Sequence, residues 1–180
     1  MSKLGKKNIL LPKESSIKVE GSNLTITGPK GTKKLSINDK IFSSKVNENE
    51  FQILPTQKSI DKKTSIMWGT YRSLINNAVK GVTLGHEKIL ELSGVGFRAN
   101  LKGEFLNLQI GYSHEVNFKI PKEIKIAVEK QTIIKISGVD KDLVSKIAAD
   151  IKRLKPVEPY KAKGIKEKGQ FVLRKEGKKK

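Results

Sequence analysis

Polar and apolar residues alternate with a period of two in several short segments between residues 15 and 58. Such alternation is typical of strands that bury one face and expose the other. The predicted strands are residues 17–20, 24–27, 33–37 and 51–54. The segment Gly21-Ser22-Asn23 suits a hairpin turn, and Gly28-Pro29-Lys30-Gly31 suits a turn of type II. The first part of the chain therefore predicts an antiparallel sheet.

The period changes to that of a helix after residue 65. The apolar side chains that recur at helical spacing are Met67, Tyr71, Leu74, Ile75, Ala78 and Val79. They predict an amphipathic helix over residues 66–79. Thr64 or Ser65 can cap its start, and Gly81 stands where a glycine commonly ends a helix.

The second half of the chain repeats this order of strands followed by a helix. Its strand-like segments are residues 88–92, 97–101, 105–110, 116–120, 124–128 and 132–136. The apolar face of the following helix is formed by Leu143, Ile147, Ile151 and Leu154. Asp140 can cap this helix, and Pro156 ends it because the residue before a proline disfavours the helical region.

A short repeated pattern in the sequence indicates a duplication. Pro12-Lys13-Glu14 precedes two alternating segments that end at Gly28, and Pro121-Lys122-Glu123 precedes two that end at Gly138. We therefore predict an α+β fold with two similar domains, each an antiparallel sheet packed with a helix, plus a basic C-terminal extension. The predicted domains are residues 1–82 and 83–154, and the extension is residues 155–180.

The balance of charge points to a polyanionic partner. The chain carries 37 lysines and arginines against 18 aspartates and glutamates, a formal net charge of +19. Nucleic acid is the first candidate partner and an anionic membrane surface the second. Only four of the basic residues are arginines, which favours neutralisation of a phosphate backbone over readout of base edges. Residues 152–180 alone hold 12 basic and 3 acidic residues.

Composition and motifs argue against catalysis. The chain has no cysteine and two histidines, which excludes a disulfide scaffold, a thiolate zinc site and a three-histidine metal centre. The segment Tyr112-Ser113-His114-Glu115 invites interpretation as a triad, but triads are assembled across a fold. No apolar run approaches the ~20 residues that span a bilayer. We therefore predict no enzyme, no cofactor, no metal and no membrane partner.

The C-terminal extension carries the strongest binding signal. Its prolines, Pro156 and Pro159, are expected to hold the backbone extended and so to space the following lysines along a line. A tyrosine there can stack on a base, and a glycine allows close approach to a backbone. The RNA-binding residues predicted here are Lys155, Tyr160, Lys161, Lys163, Gly164, Lys166, Lys168, Arg174 and Lys175. The alternative is a solvated tail that only aids solubility.

The segment Gly94-Val95-Gly96-Phe97-Arg98 carries a second signal. It lacks the third glycine and the following helix of a dinucleotide-binding loop. A bulge or a tight bend in a strand is the simplest interpretation. In a functional alternative, the glycines bring the backbone near RNA and Arg98 contacts a phosphate. Gly94, Gly96 and Arg98 are therefore included among the predicted RNA-binding residues.

Three motifs are specific enough to compare with known families: Leu92-Ser-Gly-Val-Gly-Phe-Arg-Ala, Leu106-Asn-Leu-Gln-Ile-Gly-Tyr-Ser-His and Glu158-Pro-Tyr-Lys-Ala-Lys-Gly-Ile. They resemble the bacterial-type family of large-subunit ribosomal protein six. The resemblance implies two similar α+β domains, with the C-terminal domain and tail bound to large-subunit rRNA near the sarcin–ricin loop. It also implies neighbouring ribosomal proteins at the stalk base, and translational GTPases that dock nearby.

The chain departs from the family pattern at few positions. Val157 stands where the family usually has proline, and Ala162 replaces a usual glycine, a small-for-small change. Lys166-Glu167 replaces the arginine–tyrosine pair that would supply a bidentate phosphate contact and a stacking ring in the family pattern.

These observations predict a structural constituent of the large ribosomal subunit that binds rRNA and catalyses nothing. The expected location is the cytoplasmic ribosome of a bacterium, or an organellar ribosome if an organelle encodes the chain. Composition alone also permits a sequence-tolerant architectural protein that binds DNA or RNA. Duplex DNA would then compete as well as structured RNA does.

Overall fold

The computed structural model describes residues 2–47, 50–56 and 61–177. The last three lysines of the predicted extension lie outside these residues. The described chain forms two helices and 13 strands, and it divides into two compact units. One unit comprises the residues up to Gly85 with Val139–Lys141, and the other comprises His86–Gly138 and the residues from Asp142 onward. The predicted α+β class with antiparallel sheets is confirmed.

The first unit packs a helix against two three-stranded antiparallel sheets. Its elements are β1 (Ile9–Leu10), β2 (Ser16–Glu20), β3 (Asn23–Gly28), β4 (Gly31–Ser36), β5 (Phe42–Val46), β6 (Glu50–Pro55) and α1 (Lys62–Thr83). The strand orders are β2-β3-β4 and β1-β6-β5. The core forms where the apolar faces of the strands and the helix meet, around Ile26, Phe51 and Ile75. The alternation in the sequence thus marked the buried face of β3, β4 and β6 correctly, whereas Val19 of β2 is exposed. Strands β1 and β5 were not among the predicted strands.

Helix α1 extends beyond its predicted range at both ends. Asp61 is the N-cap, and its carboxylate accepts a hydrogen bond from the first helical amide at 2.7 Å. The predicted caps, Thr64 and Ser65, therefore lie inside the helix. Gly81 is also inside and buried, which corrects its predicted role. The helix ends at Thr83 instead, and Gly85 follows its C-cap, Leu84. The φ of +80° at Gly85 suits a glycine, and its amide donates to the carbonyl oxygen five residues earlier.

The turn between β3 and β4 differs from the predicted type II turn. Gly28 pairs with Gly31, which leaves Pro29 and Lys30 as a two-residue loop. A type II turn needs a positive φ at Lys30, but the positive φ falls on Gly31. A Cβ at Gly28 would lie 2.7 Å from the Val82 carbonyl oxygen. Glycine therefore lets this turn lie directly against α1.

The second unit also packs a helix against two antiparallel sheets. Its elements are β7 (His86–Ser93), β8 (Arg98–Lys102), β9 (Phe105–Gln109), β10 (Val116–Lys119), β11 (Ile124–Glu129), β12 (Ile133–Gly138), α2 (Lys141–Leu154) and β13 (Gly164–Glu167). The strand orders are β11-β12-β7-β13 and β10-β9-β8. Val144, Ile147, Ala148 and Ile151 of α2 are buried, so one face of the helix joins the core. No helix in the described part of the chain is long and apolar enough to cross a membrane.

Strand β13 lies in the segment that the sequence assigns to a separate extension. It pairs antiparallel with β7, with Ile165 opposite Leu92. Ile165 is completely buried and belongs to the core of the second unit. Residues 164–167 are therefore the edge strand of this unit's sheet, and the chain beyond α2 is folded onto the unit that precedes it.

Candidate nucleic-acid interface

The segment after α2 turns back on itself. The Glu158 amide donates to the Lys163 carbonyl oxygen at 2.8 Å, and the Ala162 amide donates to the Glu158 carbonyl oxygen at 3.0 Å. These bonds close a loop of residues 158–163, which we call the tail loop. The prolines therefore do not hold the backbone extended through to Lys166, which corrects the prediction of evenly spaced lysines along a line.

The tail loop carries three of the predicted RNA-binding side chains at its surface. Lys161 and Lys163 are exposed, and Tyr160 is 54% exposed. The two backbone hydrogen bonds fix the loop in shape, so these side chains project from an ordered base. An ordered base lowers the entropy lost when a cationic loop binds an anion.

Ala162, at a position where the resemblance implies a glycine, adopts a backbone conformation that favours glycine. Its φ is +56°, in the left-handed region, and its side chain is buried. Alanine is unfavourable in this region relative to glycine by roughly 1–2 kcal/mol. Alanine in place of glycine therefore has a conformational cost at this position, which the similar size of the two residues does not reveal.

Gly164 lies close to backbone atoms of the same protein. A Cβ there would lie 2.7 Å from both the Pro156 carbonyl oxygen and the Val157 Cα, and its φ is +143°. The glycine is buried. It closes the base of the tail loop, whereas the sequence predicts it as a point of contact with RNA.

Lys166 and Glu167 hold β13 in place. The Lys166 Nζ lies 3.1 Å from the Glu91 carboxylate of β7. The Glu167 carboxylate accepts hydrogen bonds from Lys88 of β7 at 2.8 Å and Lys152 of α2 at 2.9 Å. These bonds keep the pKa of Glu167 below its usual value. The pair that departs from the family pattern thus forms ion pairs within the protein.

Lys155 is positioned by an aromatic ring. Its Nζ lies 4.4 Å from the centre of the Tyr112 ring, within range of a cation–π interaction. The Tyr112 hydroxyl donates to the Leu154 carbonyl oxygen at 3.0 Å, so the last turn of α2 and the loop after β9 are tied together. Sequence reasoning missed Tyr112 in this role because the two segments are 42 residues apart.

The groups that resemble a catalytic triad do not form one. The His114 ring stacks on Tyr112, with ring centres 6.4 Å apart. The Glu115 carboxylate accepts hydrogen bonds from the amide nitrogens of Asn107 and Gln109, at 2.8 and 2.7 Å. Among the described residues, no group of three or more metal-binding side chains could hold an ion.

The chain beyond β13 returns toward the tail loop. The Lys168 amide donates to the Ile89 carbonyl oxygen at 2.9 Å, and the Lys175 amide donates to the Pro159 carbonyl oxygen at 3.0 Å. The side chains of Lys168, Arg174 and Lys175 are all exposed. The segment between them borders a groove of about 590 Å³ beside α2. The exposed cations of the predicted extension are therefore carried by a folded segment.

The segment 94–97 is a tight loop that connects β7 to β8, strands of different sheets. Gly96 has a φ of +79° and is exposed, and Val95 at the tip is exposed. A Cβ on Gly94 would lie 3.0 Å from the Phe97 ring, which is buried beneath the loop. Arg98 follows as the exposed first residue of β8. The structure therefore places Arg98 at the surface, beside a loop whose glycines serve its shape.

The chain has a duplicated α+β fold and a high positive charge, and its ordered loops present lysines. Its described part holds no catalytic constellation. These features are those of a structural nucleic-acid-binding protein. Comparison with known proteins identifies the family. The family model described as Ribosomal protein L6 matches residues 11–85 and again residues 93–168. The chain belongs to the ribosomal protein L6 family.

Curated relatives agree over the whole length of the chain. It is 44% identical to large ribosomal subunit protein uL6 of Sphingopyxis alaskensis and 45% identical to that of Phenylobacterium zucineum, with all of both chains covered. The relative from Caulobacter vibrioides is 44% identical over the same 180 residues. The predicted family, its duplication and its bacterial type are confirmed. The protein is a ribosomal protein of the large subunit and not an enzyme.

Proposed function

We propose that this protein binds large-subunit rRNA near the sarcin–ricin loop, at the base of the stalk, and supports the docking of translational GTPases there. Its other partners are the neighbouring ribosomal proteins of the stalk base. The protein acts in the ribosome of the bacterial cytoplasm. The ordered tail loop is the observation that supports RNA binding, because it projects lysines and a tyrosine from a fixed backbone. The location near the sarcin–ricin loop and the docking of GTPases rest on the family resemblance.

The contacts that we assign to RNA fall into two groups. The cations, all of them exposed except the half-buried Lys155, neutralise phosphates, and the Tyr160 ring stacks on a base. The phosphate-binding residues that we propose are Lys155, Lys161, Lys163, Lys168, Arg174, Lys175 and Arg98. Lys166 contributes to the potential from within its ion pair, and the backbone at Gly94 and Gly96 lies close enough to the surface to accommodate RNA. We treat residues 155–180 as the rRNA-binding element of the C-terminal domain and residues 1–82 as the N-terminal domain.

Measurement of binding to purified large-subunit rRNA over a range of salt tests this proposal. The logarithm of the affinity falls linearly as the logarithm of the salt concentration rises, and each lost phosphate contact makes this slope shallower by about 0.7–0.9. The variant Lys161→Ala/Lys163→Ala/Lys168→Ala should therefore make the slope shallower by about 2–3. The matched control is Lys18→Ala/Lys34→Ala/Lys45→Ala, which removes three exposed lysines of the first unit.

The control should bind with nearly the slope of the unmodified protein. Equal losses in the two variants would contradict a binding role for the tail region, because general charge would then account for affinity. Duplex DNA that competes as strongly as the rRNA would favour the architectural alternative.

A further inference from the structure

Three asparagines lie side by side on one face of the β8–β9–β10 sheet. Asn107 of β9 pairs directly with Asn100 of β8 on one side and with Asn117 of β10 on the other. Residues paired across antiparallel strands have side chains on the same face. We call this the amide row. Asparagine is depleted in strands, so three in one row are unexpected from strand stability alone.

The residues that flank the amide row are basic, aromatic or polar. Gln109 pairs with Arg98 at one end of the sheet, and Phe105 pairs with Lys102 and Lys119 at the other. These side chains are exposed, and only Asn107, between its two neighbours, is buried. The opposite face carries Leu106 and Leu108, which belong to the core. The amide row therefore lies on the open face of the sheet, among three cations and one carboxylate, that of Glu115.

Glu115 fixes the orientation of two of these amides. Its carboxylate accepts hydrogen bonds from the Asn107 Nδ2 at 2.8 Å and the Gln109 Nε2 at 2.7 Å. A carboxylate can only accept, so both amide nitrogens face it and both amide oxygens face elsewhere. The Asn107 Oδ1 is buried and has no hydrogen-bond partner within the described chain. A buried acceptor without a donor is unfavourable by about 1–3 kcal/mol, so hydrogen bonding within the sheet does not explain this asparagine. The exposed amides beside it, those of Asn100 and Asn117, are the ones that a ligand can reach.

The spacing of the strands and the hydrogen-bonding groups of this face indicate which kind of ligand it can bind. Three strands spaced about 4.8 Å apart present a surface roughly 10 Å wide between the outer strands. The minor groove of an A-form RNA helix is wide and shallow and displays 2′-hydroxyl groups together with the guanine amino group, all of them donors. The minor groove of B-form DNA is about 6 Å wide and lacks the 2′-hydroxyl. An RNA helix thus matches the face in its donors and in its flanking phosphates, and the 2′-hydroxyl is the donor that duplex DNA lacks.

We propose that the amide row docks into the minor groove of an rRNA helix. The amides of Asn100, Asn117 and Gln109 then hydrogen-bond ribose 2′-hydroxyls and guanine amino groups, while Lys102, Lys119 and Arg98 contact the phosphates on either side. The proposal rests on the proposed rRNA-binding function and adds to it a second contact, separate from the tail loop, that distinguishes RNA from DNA.

The variant Asn100→Ala/Asn117→Ala tests this contact without a change in charge. Its matched control is Asn23→Ala/Asn47→Ala, which removes two exposed asparagines of the first unit. Two lost hydrogen bonds should weaken binding to purified large-subunit rRNA about tenfold while the salt slope stays unchanged. Hydroxyl-radical cleavage of the rRNA should also increase in one minor groove that the unmodified protein covers. Thermal unfolding of each variant checks that the sheet remains folded.

The outcomes separate this proposal from the function on which it rests. If the variant Lys161→Ala/Lys163→Ala/Lys168→Ala weakens binding but the asparagine variant binds and protects rRNA like the unmodified protein, the amide row is not an RNA contact, although the proposed function stands. If the asparagine variant binds rRNA normally but fails to enter large subunits, the face binds a protein and the proposal is wrong. If the unmodified protein does not prefer rRNA to duplex DNA, the proposed function itself fails.

Discussion

The carboxylate of Glu167 lies 2.8 Å from the Nζ of Lys88 and so ties the edge strand β13 to its neighbour β7. A second bond from Lys152 joins the same carboxylate to α2. The chain beyond α2 is therefore attached to the second unit by charge as well as by the buried Ile165. This attachment supports the base from which the tail loop projects.

The Glu167 ion pairs predict a dependence of stability on pH. The pKa of Glu167 is lowered in the folded protein by hydrogen bonds from Lys88 and then Lys152. A lowered folded-state pKa means that the contribution to stability is present above the unfolded-state pKa, near 4.5, and is lost as the pH falls through the folded-state value. Glu167→Gln should lower the free energy of unfolding by about 1 kcal/mol at pH 7 and by much less at pH 3.

Thermal unfolding at both pH values measures this difference. Glu176→Gln, at an exposed position near the C-terminal end of the described chain, is the matched control. It should change the melting temperature little at either pH. An equal loss of stability in Glu167→Gln at pH 7 and pH 3 would show that the carboxylate charge is not what stabilises β13.

Gly164 is predicted to tolerate no side chain. A methyl group there would lie 2.7 Å from the Pro156 carbonyl oxygen, and the φ of +143° is unfavourable for any other residue. Gly164→Ala should lower the free energy of unfolding by at least about 1–3 kcal/mol. Gly169→Ala is the comparison, because Gly169 also has a positive φ but a Cβ there meets nothing within 4 Å.

Urea denaturation of the two variants measures the contrast. Both variants carry a conformational penalty, which is larger at the φ of +143° of Gly164 than at the φ of +81° of Gly169. The larger loss in Gly164→Ala therefore reports this backbone strain together with the close packing at the base of the tail loop. Equal losses would mean that the backbone near Pro156 moves away freely.

Tyr112 is predicted to stabilise the junction between α2 and the tail. Tyr112→Phe removes the hydrogen bond to the Leu154 carbonyl oxygen and should lower the free energy of unfolding by about 0.5–1.5 kcal/mol. Tyr112→Leu also removes the ring beneath Lys155 and should lower it by a further ~0.5–1 kcal/mol. Thermal denaturation of the unmodified protein and both variants measures the two steps. A Tyr112→Leu variant as stable as Tyr112→Phe would contradict the cation–π contribution.

The alternation of apolar residues was sufficient to predict most strands and both helices. It failed where long-range pairing decides the structure. Strand β13 is four residues long in a lysine-rich segment, and its strand character comes from pairing with β7 and from the burial of Ile165. Helix α1 passes through Gly81 because that glycine is packed in the core, and local propensity alone cannot reveal such packing.

The candidate site was predictable in composition but not in shape. The basic segment and its lysines are visible in the sequence, whereas the turn at Ala162 depends on backbone bonds that close the tail loop. The amide row depends on the register of three strands, which brings Asn100, Asn107 and Asn117 together. A signal existed in the sequence, since each of these strands has an asparagine between two apolar residues. Only the pairing shows that the three share one face.

Ultraviolet cross-linking in cells, followed by sequencing of the attached RNA, tests the central claim most directly. The second unit should cross-link to one or two helices of large-subunit rRNA, including the region of the sarcin–ricin loop. These cross-links should be lost when Lys155, Tyr160, Lys161, Lys163 and Lys166 are replaced by alanine, provided that the variant remains folded. Cross-links scattered over unrelated RNA, or found mainly on DNA, would contradict the account and leave a general binder of polyanions.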